Sequence, residues 1–118
     1  MRQDGCMTKV DRAVALEIAT AALANPSDTE LIANGVRTSL QWFADQNPGR
    51  AVEVRVPPYL AVQILGGTTH RRGIPPAVVE MGPKTWLKLF TKELTWADAV
   101  ADGKITASGE RSDLSQLL

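Results

Sequence analysis

The chain has 118 residues, with 13 basic and 13 acidic side chains and a formal net charge of zero at neutral pH. That length holds one core, burying roughly two-thirds of the unfolded surface, and leaves no room for a second domain. The charge balance excludes a general nucleic-acid binder, which needs a basic excess to displace counterions. No apolar run reaches the ~18 residues of a bilayer span, so no stable membrane insertion is expected.

Met1–Thr8 is polar, without the apolar centre of a signal peptide, and reads as a flexible N-terminus ahead of a single domain over residues 9–118. Cys6 is the only cysteine, so no internal disulfide can form, as suits a reducing cytoplasm. Val10–Ala24 is alanine-rich and helical, with Val10, Val14, Ile18 and Ala21 or Ala22 on one face. Asn25-Pro26 ends it. Ser27-x-x-Glu30 is a capping box that opens a second helix, whose stripe is Ile32, Val36, Leu40 and Phe43. Gly35 weakens that helix by about 1 kcal/mol relative to alanine.

After the turn at Asn47-Pro48-Gly49 the period changes to two. Val52, Val54 and Val56 alternate with Glu53 and Arg55 as a strand with one wet face, and Pro57-Pro58 ends it. Tyr59–Leu65 is apolar on nearly every position, which predicts a central strand. The polar stretch Gly66–Gly73 has room for a short further strand, and Ala77–Met81 is another. Gly82–Glu110 is the densest apolar segment. Pro83 starts a helix carrying Trp86, Leu87, Phe90 and Leu94, and Thr95-x-x-Asp98 caps a short one that stops at Gly103. Lys104–Ser108 alternates as a last strand, with Ile105 and Ala107 facing one way, and Ser112 caps a final turn or two with Leu114, Leu117 and Leu118 apolar. The order predicts an α+β fold: a mostly antiparallel sheet of about five strands with helices over one face.

No catalytic constellation emerges, so the chain does not read as an enzyme. His70 is the only histidine and has no nucleophile placed beside it by motif. Gly66-Gly67 lacks the spacing and the lysine of a phosphate loop, and no cluster has metal-ligand spacing. No cofactor is implied. His70, Arg71 and Arg72 have two readings: solvated loop residues, or three donors able to hold an anionic headgroup.

Trp86-Leu87-x-Leu89-Phe90-x-x-Glu93-Leu94-x-Trp96-x-Asp98-Ala99-x-x-Asp102-Gly103-Lys104-Ile105-x-Ala107-x-Gly109-Glu110 resembles the C-terminal half of the sterol carrier protein (lipid-transfer) family. Val54-Arg55-Val56-Pro57-Pro58, His70-x-Arg72-Gly73-x-Pro75-Pro76 and Trp96-Ala97-Asp98-Ala99-Val100 look like a small stand-alone actinobacterial branch of it. The resemblance runs from about Val52 to Leu118. It implies five strands that enclose an apolar tunnel with the helices, and a fatty acyl chain or sterol held there without catalysis. Phe90, Leu94, Trp96, Val100, Leu114 and Leu117 would line or gate the cavity, with the terminal leucines as a lid. The short proline-marked connections, and an end at Leu118 without a peroxisomal tripeptide, favour fatty acids, acyl thioesters or other apolar metabolites over sterol. The competing expectation is a structural or dimerising accessory domain with a filled core, in which an exposed Val52–Val56 edge pairs with a second copy. Either way the expected state is a monomer or homodimer.

Overall fold

Asp11 opens the first helix. Its carboxylate accepts the Val14 amide at 2.9 Å, satisfying one of the N–H groups that a helix start leaves without an intrahelical partner. That helix is α1 (Arg12–Ala24) of a computed structural model of the protein, which describes residues 11–66, 77–109 and 112–118. The expected flexible segment Met1–Thr8, Cys6 and Val10 lie outside the described residues. The face of α1 that packs matches the expected one only at Ala22 and in part at Ile18. Ala15, Ala19 and Ala22 are fully buried, whereas Val14 is 40% exposed and Ile18 half-buried. The reason is the partner helix. A Cβ added to Gly35 would stand 3.0 Å from the Ala22 Cβ, so the two helices approach where both carry their smallest side chains. Gly35 is the point of close approach as well as a weak helix former.

α2 (Thr29–Gln46) buries Ile32, Val36, Leu40 and Phe43 as its stripe predicts. Its cap is Asp28 and not Ser27: the Asp28 carboxylate accepts the Glu30 and Leu31 amides, both at 3.1 Å. Ser27 is consumed by the preceding turn, closed by the Asp28 amide on the Asn25 carbonyl at 3.0 Å.

Among the described residues the sheet has four strands: β1 (Val52–Val56), β2 (Leu60–Ile64), β3 (Ala77–Met81) and β4 (Ile105–Ser108), in the order β2-β1-β3-β4. Most of the expected additional strand, at residues 67–73, falls outside the described residues. β1 pairs antiparallel with β2, and β3 antiparallel with β4, but β1 and β3 run parallel. The chain leaves β2 at the starting end of β1 and re-enters the sheet on the other side of β1 at that same end, with Val52 opposite both Ile64 and Ala77. β1, like β3, therefore has a neighbour on each side, which removes it as a free edge for a second copy. β2 is paired only with β1 among the described residues, and is not central. Its outward positions are Ala61 and Gln63, and a small side chain there needs no cover.

The inward face carries Val52, Val54, Val56, Val62, Ile64, Val79 and Met81, all buried against the helices. The outward face is polar. Arg55 meets Glu53 at 3.2 Å and Glu80 at 4.0 Å, and the hydrogen bond to Glu53 holds its guanidinium pKa above the ordinary value.

α3 (Pro83–Phe90) and α4 (Trp96–Ala101) follow. Thr95 Oγ1 accepts the Asp98 amide at 3.1 Å, as its spacing predicts, and Gly103 takes the left-handed conformation (φ +71°) just beyond the helix. The last turn is anchored by Asp113 instead of Ser112. Its carboxylate accepts the Ser115 amide at 2.9 Å, a bond that lowers its pKa. Leu114 is fully buried, and Leu117 and Leu118 pack against the core.

Candidate functional site

The interior between α2 and α3 is aromatic. Trp86 lies edge-on to Phe43, with ring centres 5.2 Å apart, and stacks on Phe90 at 5.7 Å; Phe90 in turn meets Trp42 edge-on at 5.8 Å. The Trp86 indole is fully buried and its Nε1–H donates to Ser39 Oγ at 2.8 Å, while the Ser39 hydroxyl donates to the Gly35 carbonyl at 2.6 Å. The Trp86 indole and the Ser39 hydroxyl, both buried here, each have a partner, which is the condition for burying them without a large penalty.

The six side chains expected to line a cavity are placed unevenly. Phe90, Trp96 and Leu114 belong to the buried core. Leu94 and Leu117 are half-buried and pack against it. Val100 stands apart, 47% exposed on α4. The proposed headgroup residues His70, Arg71 and Arg72 lie outside the described residues.

Open space is found elsewhere. A shallow hollow of about 640 Å³ runs along the α1–α2 turn from Ala24 to Glu30, with mainly polar walls. A second hollow of about 380 Å³ is a groove between the first turns of α2 and α3, closed on a third side by the turn after β1. Pro26, Thr29 and Ile32 form one wall, Tyr59 another, and Gly82–Thr85 the third. Its walls are mainly apolar. Lys84 is the only charged residue lining it, and the Arg37 guanidinium lies 5.8 Å from the centre of the Tyr59 ring. No described carboxylate is ion-paired with either cation. Sequence reasoning missed this groove because its walls are far apart along the chain. Pro83 marks the start of α3 and Pro57-Pro58 the turn before Tyr59, but no local pattern places Thr29 beside either.

Among the described residues no group of three or more His, Cys, Asp or Glu side chains is placed to hold a metal ion. Nor is any described helix long and apolar enough to cross a membrane.

The profile of the family described as bacterial SCP ortholog matches residues 28–118, from the Asp28 cap of α2 onward. The chain belongs to this sterol carrier protein-like family. The matched span takes in α2 as well as the segment from Val52 whose motifs resemble the family, and leaves α1 outside. The groove at α2 and α3, apart from Pro26, and all six expected cavity residues fall within it. None of the curated proteins matches the chain.

Proposed function

We propose that this protein binds and hands over an apolar ligand, a fatty acid, acyl thioester or sterol-like lipid, without catalysis. The single observation that carries the reading is membership of the sterol carrier protein-like family, because the hydrocarbon-binding role is attached to that family. Two places suit a hydrocarbon. One is the buried core to which Phe90, Trp96 and Leu114 belong, with Leu94 and Leu117 half-buried against it. A chain entering there must displace packed side chains, at a cost set by the density of the core. The other is the groove at the starts of α2 and α3, which is open, mainly apolar and within the usual size range of ligand pockets. The groove is preferred because nothing has to move.

Burial of an alkyl chain gains ~0.8 kcal/mol for each CH₂, so affinity should rise by roughly threefold to fourfold per added carbon until the site is full. A titration of saturated fatty acids from eight to eighteen carbons tests this, with a rise followed by a plateau expected. A flat series would end the carrier reading.

One observation favours a second reading. The interior is occupied by Trp86, Phe90, Trp96 and Leu114 in the manner of an ordinary core, as an accessory domain without a ligand would have it. Native mass spectrometry separates the two: added mass per chain marks a carrier, and a clean dimer an accessory domain.

A further inference from the structure

We propose that the groove between α2 and α3 selects amphiphiles with an anionic head, and that its occupant is a single-chain fatty acid whose carboxylate sits on the Lys84 ammonium while the chain lies against Ile32, Tyr59 and Pro83. The inference rests on the carrier reading and deepens it by naming the site and the determinant of head chemistry.

Three observations carry it. The walls are divided by chemistry: Pro26, Ile32, Pro83 and the Tyr59 ring are apolar, Thr29 and Thr85 offer hydroxyls, and Lys84 supplies the only charge. A groove of one charge and several apolar walls matches a ligand of the same composition, one anionic group on a hydrocarbon. The charge is also available. No described carboxylate pairs with Lys84, and the nearby Arg37 adds positive potential beside Tyr59 with its own charge likewise unpaired among the described residues. Asp28 and Glu30 flank Thr29 in sequence but line the polar hollow on the other side of that wall, not the groove. Finally, at about 380 Å³ the groove lies near the lower end of the range for ligand pockets, which suits one alkyl chain and not the two of a diacyl lipid.

An ammonium–carboxylate contact is a charge-assisted hydrogen bond, stronger than its neutral counterpart. Neutral amphiphiles of the same length gain only the apolar part. The test is a calorimetric titration of wild type, Lys84→Met, Lys84→Glu and Lys84→Arg with palmitate, hexadecanol and hexadecyl phosphate, all below their aggregation concentrations. Lys84 is exposed, so the variants should keep the wild-type melting temperature. Lys84→Met should weaken palmitate about tenfold or more and Lys84→Glu further, with hexadecanol changed by less than about twofold and Lys84→Arg close to wild type. Palmitate binding that ignores all three substitutions overturns the Lys84 assignment while the carrier reading survives. Tighter wild-type binding of hexadecyl phosphate than of palmitate overturns the carboxylate as the preferred head. Wild type that binds none of the three probes overturns the carrier reading, and this inference with it.

Discussion

Ser39 is the residue whose role is least visible in the chain as written. It interrupts the apolar stripe of α2 beside Leu40, and helical periodicity alone gives a buried hydroxyl no purpose. Its partner is 47 residues away: it accepts the Trp86 indole N–H at 2.8 Å and donates back to Gly35 at 2.6 Å. Among the described residues, the largest fully buried side chain therefore has its one polar atom satisfied by Ser39, the one buried residue classed as polar. Ser39→Ala should cost about 1–3 kcal/mol, because the indole N–H is left buried without an acceptor. The expected result in urea is a lower midpoint with an unchanged slope. In a Trp86→Phe background no donor remains to be orphaned, so the same substitution should cost clearly less. Equal costs in the two backgrounds would mean that the bond contributes nothing of its own. Gly35 teaches the same lesson from the backbone side. Propensity reads it as a defect, whereas the 3.0 Å approach to Ala22 makes it the place where α1 and α2 meet.

At the scale of elements, whatever depends on local spacing was legible and whatever depends on a distant partner was not. The stripe of α2, the start of α3 at Pro83, the Thr95 cap and the alternation of β1 all follow from neighbours within a few residues. The buried face of α1 does not, because alanines are chosen there by the closeness of α2 and not by their own hydrophobicity. The parallel pairing of β1 with β3 does not either, since it depends on the side of β1 to which the chain returns after residue 66. Apolar content placed β2 centrally, yet an exposed alanine and glutamine are enough to face its outer side toward solvent. Cap choice sits between these cases. Ser27 and Asp28 are both good capping residues, and the turn closed onto Asn25 decides for Asp28. Asp28→Ala should destabilise by about 1 kcal/mol through loss of two amide contacts, and Ser27→Ala should stay within about 0.5 kcal/mol. Comparison of the two urea midpoints checks this, and the reverse order would restore Ser27 as the cap.

For the whole molecule, the family was readable from motifs between Val52 and Leu118 and the α+β class from the order of elements, while the place of open space was not. The six residues expected to line a cavity came from the family resemblance, and they are large and apolar, a property that equally lets Phe90, Trp96 and Leu114 take their places in the core. Space is left instead where elements start and side chains are small or stiff, at Pro26, Thr29, Gly82 and Pro83. Gly82 offers a way to tell the two locations apart. It lines the groove in an extended conformation open to any residue (φ −74°), and a Cβ added there meets nothing within 4 Å. Gly82→Phe should therefore fold normally and occupy the groove with its ring. Losing room for even two CH₂ groups removes ~1.6 kcal/mol of burial, so palmitate affinity should fall more than about tenfold while the melting temperature holds. Val100→Phe enlarges a side chain already 47% exposed on α4 and should leave a groove-bound ligand undisturbed. If Val100→Phe blocks palmitate and Gly82→Phe does not, the hydrocarbon enters beneath α4, and the packed residues there yield to it.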